Sequence, residues 1–183
     1  MISIQMDKTL PELSDHFLIQ YLLGKIVNHV CQCELVEQNN IAHMEEMPFV
    51  TFTWITFNQP TTSDWLTDHP QYLCTMQIDV HAASAESASL LAQKLFTKLH
   101  QSAYQRIFTQ AQIVLQKISN TSNRTILAGI NYDNDFGFDC SFLVNGGNQF
   151  QENDLQFDFE DTDIESIKAA SQVKVTDETV TND

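Results

Sequence analysis

The chain has 183 residues, 24 acidic and nine basic, for a formal net charge of −15; 43% of its residues are hydrophobic and 10% aromatic. That length suits one domain with a substantial core plus an extension. So few cations argue against a nucleic-acid backbone as the main partner, and no sequence-specific nucleic-acid site is expected, because phosphate contacts need Lys and Arg.

The charge is uneven. Phe150 to Asp183 carries ten acids against Lys168 and Lys174, a net of −8, while the preceding 149 residues carry a net of −7. The opening MISIQMDKTLPEL has no basic start leading into an apolar run, and no later stretch approaches a membrane span. The expectation is a protein that folds in a cytosol, without a membrane partner, with Cys31, Cys33, Cys74 and Cys140 as thiols.

Ser14 and Asp15 offer N-cap chemistry, and Phe17, Leu18, Tyr21, Leu22, Ile26 and Val30 recur at helical spacing, so Asp15 to Val30 reads as an amphipathic helix. A short strand follows around Glu34 to Glu37. In MPFVTFTWITFN, a strand from about Phe49 to Phe57, alternation puts Val50, Phe52 and Trp54 on one face. Thr51 and Thr53 fall on the other, continued by Ile55 and Phe57. Pro48 suits a strand's first position.

Asn58 to Pro70 reads as a long connection. In the next strand Tyr72, Cys74, Met76, Ile78 and Val80 alternate with Thr75, Gln77 and Asp79. Ser84 caps a second helix whose Ala88, Leu91, Ala92, Leu95 and Leu99 form a stripe, ending near His100 to Tyr104. Ile113 to Ile118 and Thr125 to Tyr132 read as two strands around the turn-prone NTSN. Phe136, Phe138, Cys140, Phe142 and Val144 make a last strand, stopped by Asn145, Gly146 and Gly147.

This order of elements predicts an α+β fold: a mainly antiparallel sheet with two helices packed on one face, plus an acidic C-terminal extension. The division is 1–148 for the domain and 149–183 for the acidic arm.

The one candidate metal site is HVCQC, where His29, Cys31 and Cys33 offer soft ligands at a spacing unlike common zinc patterns. The competing reading is a helix-end His followed by two small, partly buried thiols. The other histidines, His16, His43, His69, His81 and His100, are scattered, and Asp133, Asp135 and Asp139 read as a solvated turn. No GxSxG, HExxH or phosphate-cradling glycine loop occurs. The expectation is therefore no enzyme, no catalytic residues and no cofactor, and an assembly role instead.

For assembly the candidates are two. Trp65 and Leu66 stand in an otherwise polar connection, where they either fold back or anchor a partner. Leu155, Phe157 and Phe159 alternate among acids, in a segment that is either disordered or docked on an adjacent subunit, with Asp154, Asp158 and Glu160 outward.

The run MPFVTFTWI after a helix and a short strand, then TMQIDVHAASAESASLLAQKLFTKL, then FGFDCSFLV, resembles the tail terminator or neck proteins of long-tailed bacteriophages. The likeness spans about Asp15 to Asn145 and rests on the order and spacing of core positions. It implies a non-enzymatic α+β subunit that forms a homo-oligomeric ring, commonly of six, on the tail tube protein. Such a ring ends tube growth and presents the surface that the head completion or connector protein joins, in a virion neck assembled in the host cytoplasm. In such a ring Thr51, Thr53 and Ile55 are expected at a subunit boundary or the lumen, with Val50, Phe52 and Trp54 beneath the helices. The alternatives are a head-side connector or completion protein, or a small intracellular metal-binding module or enzyme using His29, Cys31 and Cys33.

Overall fold

A computed structural model of the chain describes residues 13–39, 46–61, 70–128 and 131–160, with backbone alone at 126–128 and 131–133. The elements are β1 (Leu13–Ser14), α1 (Asp15–Cys31), β2 (Leu35–Glu37), β3 (Phe49–Pro60), β4 (Gln71–Ala82), α2 (Ala85–Leu99), α3 (Ser102–Thr109), β5 (Ile113–Ile118), β6 (Ser122–Asn123), β7 (Ile126–Ala128), β8 (Asn131–Asn145), β9 (Gln149–Phe150) and a 3-10 turn at Glu152–Asp154. The main sheet runs β2-β3-β4-β8-β5, with β6 and β7 also on β8. The β3–β4, β4–β8 and β5–β8 pairs are antiparallel, and β2 lies parallel to β3.

The period-2 patterns decide which face is covered. Cys74, Met76 and Ile78 of β4 stand opposite Phe142, Cys140 and Phe138 of β8, all buried. The helices close over them: Phe96 of α2 meets Phe138 edge-on at 5.8 Å, and Phe108 of α3 meets Phe142 at 5.4 Å. Each large side chain so buried contributes about 1.5–3 kcal/mol of transfer free energy. α1 buries Leu18, Ile19, Leu22, Leu23, Ile26, Val27 and Val30, and stops where Gln32 turns left-handed with its N–H on the Asn28 carbonyl. Ser84 caps α2 as expected, its Oγ accepting the Ser87 amide at 3.2 Å.

Three expectations are corrected. Among the described residues the helices number three, because Ala103, Tyr104, Ile107 and Phe108 recur at helical spacing and form α3, where the sequence reading ends α2 near His100 to Tyr104. The strand expected over Thr125 to Tyr132 is a hairpin instead, with β7 returning into β8, which starts at Asn131. Asp135 and Asp139 therefore stand on a strand rather than in a turn. At α1 Ser14 makes no side-chain cap; Asp15 instead accepts from the Tyr72 hydroxyl at 3.2 Å. Residues 149–160 return to the domain: β9 pairs with β1, and Leu155 is buried in the core.

Candidate interaction surface

The face away from the helices carries a built polar network. Asp79 of β4 is buried, and the guanidinium of Arg124, on the chain between β6 and β7, donates through Nη1 to Asp79 and through Nη2 to Asp139 at 2.8 Å. Gln77 adds a second donor to Asp79. Burial works against the Arg124 charge, but the two carboxylates outweigh it and hold its pKa above the usual range. The guanidinium reaches across Gly137, the residue paired with Asp79, because no side chain stands there. One strand further, Thr51 Oγ1 bonds His81 Nε2 at 3.0 Å, and the His81 ring stacks on Phe49.

Thr51, read from the sequence at a subunit boundary or the lumen, is 0% exposed within one chain. Thr53, half-buried, donates to Gln38. Ile55 does face solvent, at 54% exposure. The reason lies in the strand: the pairing with β4 passes from Trp54↔Met76 to Thr56↔Thr75, which leaves Ile55 as an extra residue. That bulge inverts the alternation beyond it. Phe57, expected on the threonine side, consequently lies with the helices, stacked on His16 of α1 at 3.8 Å and edge-on to Trp54. Even there Phe57 stays 58% exposed, and Phe17 in the first turn of α1 is 47% exposed. The Trp54 indole N–H is buried and has no acceptor among the described residues.

Leu155, Phe157 and Phe159, read from the sequence as either disordered or docked on an adjacent subunit, are seated on the chain's own helices. Phe157 meets the Tyr21 edge at 6.1 Å; Phe159 stacks on His29 at 4.0 Å and tilts against Tyr104. Gln110, the residue that follows α3, clamps this segment, the strap of residues 152–160, its side chain accepting from the Gln156 amide and donating to the Gln156 carbonyl, both at 2.9 Å. Arg106 donates to the Glu160 carbonyl at 2.9 Å. Glu152 accepts from the Tyr21 hydroxyl and from Lys25, which hold its carboxyl below the usual range. Asp154, Asp158 and Glu160 are exposed.

In HVCQC the three side chains do not converge. His29 is taken up by Phe159, whereas Cys31 and Cys33 are buried and their thiols bond each other, Cys31 donating, which raises Cys31 and lowers Cys33. Among the described residues no group of three His, Cys, Asp or Glu side chains is arranged to hold a metal ion. Trp65 and Leu66 lie outside the described residues. The sequence reading missed an apolar groove of about 430 Å³ lined by Met47, Pro48, Ala82, Ala83, Leu90 and Leu91. Exposed Met47 and the loop side of Ala82 gave no periodic signal.

Among the described residues no helix is long and apolar enough to cross a membrane. A model of the family described as phage neck terminator protein matches residues 17–179. No curated protein matches the chain.

Proposed function

The chain belongs to the phage neck terminator protein family, and from that premise we propose that it forms a ring, of six copies as in the resembling proteins, on the last ring of the tail tube. There it ends tube growth and offers the surface to which the head's connector or completion protein joins. A structural role in the neck needs surfaces rather than catalytic groups. The observation that carries the reading is the match itself, which takes in the domain, the strap and most of the acidic segment beyond it. Exposed Ile55 and Phe57 on β3, and Phe17 in the first turn of α1, supply apolar area of the kind a subunit contact buries.

Thr53, Ile55, Trp65 and Leu66 are the proposed contact residues. The metal-module alternative has no geometry in its favour, since His29 stacks on Phe159 away from the two thiols. The experiment is solution mass by light scattering together with negative-stain images of the protein mixed with tail tubes. Rings that cap one end of each tube are expected; monomers that leave the tubes bare, or rings that bind heads and ignore tubes, refute the reading. Trp65→Ala should weaken the assembly by an amount typical of an aromatic anchor, about 2 kcal/mol, with the monomer's melting temperature unchanged.

A further inference from the structure

Among the described residues the sheet ends in two edges that no further strand covers, although His16 reaches the Phe57 carbonyl and Gln38 the Thr53 hydroxyl. On β3, β2 pairs only with Val50, Thr51 and Phe52, and among the described residues no strand lies against the outer side of residues 53–60. On the far side β5 pairs with β8 alone. Long open edges invite pairing with another chain, and proteins usually guard them with charge. On β3 the charged guard is missing, since none of residues 47–63 is charged in a chain with 24 acidic residues, which leaves the bulge at Ile55 and the terminal Pro60; β5 carries only Lys117. Each edge also presents exposed apolar side chains, Ile55 and Phe57 on β3 and the 47% exposed Val114 on β5.

Direction is compatible as well. The three neighbour pairs between β3 and β5 are all antiparallel, so β3 and β5 run in opposite directions. A second copy set beside the first, and not turned end for end, therefore brings its β5 antiparallel to the first copy's β3. The same step repeated about an axis along the strands is a head-to-tail contact that closes into a ring. The register shifts in β3 and between Leu115 and Lys117 of β5 add local twist at both edges, which favours a curved sheet over a flat one.

We infer that the ring subunits join edge to edge, the β5 edge of one copy pairing with residues 53–60 of β3 in the next, so that the sheet continues from copy to copy. This rests on the ring reading above and names the surfaces that make it. The contact is heterologous: each copy uses one edge on each side.

Complementary edge variants test this. Ile55→Lys spoils the β3 edge and Val114→Lys the β5 edge; both side chains are about half exposed, so neither variant should shift the thermal melt. Each variant alone should stay monomeric, with association weakened about tenfold or more. An equimolar mixture retains one good edge of each kind and should yield a heterodimer that grows no further, which also shows both variants to be folded. Wild-type-like rings from Val114→Lys with monomers from Ile55→Lys overturn the inference, because they mean that β3 pairs with something other than β5. Rings from both variants overturn the edges but spare the ring. A wild-type protein that stays monomeric with tail tubes present overturns both.

Discussion

Replacing Gly137 by Ala tests the bracing of the open face. A Cβ there would overlap Asp79 Oδ1 and the Ile78 carbonyl oxygen and lie 2.8 Å from Arg124 Nη1. The carboxylate can swing aside; the carbonyl belongs to β4 and cannot move without bending the ladder. Overpacking of this kind costs about 1–3 kcal/mol. Displacing Asp79 from Arg124 leaves a buried carboxylate poorly paired, which costs about 3–5 kcal/mol for a fully buried pair. Arg124 is partly exposed, so roughly half of that is reasonable. Against these stands a gain of about 0.4–1 kcal/mol from a less flexible unfolded chain. The net is a loss of about 3 kcal/mol, or roughly 6–12 °C in melting temperature for a protein of this size. Urea denaturation measures it. The double variant with Asp79→Ala should recover only part of the loss, because the Ile78 carbonyl still obstructs. A Gly137→Ala protein within about 0.5 kcal/mol of wild type refutes the close approach.

Leu155→Ala should cost about 2–3 kcal/mol of folding free energy by the same urea assay, as for any buried leucine; a neutral result means the strap does not enter the core. Gln110→Ala removes both bonds to Gln156, each worth about 1 kcal/mol net, and should speed proteolytic cleavage near that residue. Glu152 has a lowered folded-state pKa, so its contribution is present above its unfolded value and disappears as pH falls through the folded one. Strap cleavage, corrected for the protease's own pH profile, should therefore rise below the ordinary carboxylate range, and Glu152→Gln should flatten that rise. A thiol reagent mapped by mass spectrometry should modify Cys33 first, since Cys31 donates to it; burial pushes Cys74 up to about 12 and Cys140 higher, leaving both for the unfolded chain.

What the sequence made legible follows from periodicity. β4 and the last strand alternate cleanly and were placed on the right faces, and α1 and α2 announced themselves by apolar spacing and, for α2, by its cap. The failures sit where one residue changes the period. Nothing in TWITF signals that Ile55 is extra, so Phe57 was assigned to the wrong face. α3 follows α2 after only His100 and Gln101, too brief a break to read as a boundary. Thr51 looked like a surface residue because its burial depends on His81, a partner from another strand. The strap was harder still, since its composition says disorder and its order comes from Gln110, His29 and Tyr21 on helices far away in sequence.

With the proposed edge-to-edge joining, charge decides which side of the sheet would face the ring axis. The strap runs over the helices, and Glu152, Asp154, Asp158 and Glu160 are exposed on that side. On the open face Asp79 and Asp139 are both bound to Arg124, Asp135 is partly buried opposite His81, and the neighbouring Thr75, Gln77 and Ser141 are neutral. Straps turned toward the axis would crowd copies of the same acids into a confined space within a few Debye lengths, about 8–10 Å each. Turned outward, they are separated and screened by solvent. The helices should therefore face out and the open face should line the lumen, which also sets Thr53 toward the axis. Spin labels at Thr75 and at Asp158, placed in separate preparations of assembled rings, read this directly: neighbour distances should be shorter for Thr75, and the opposite order refutes the orientation.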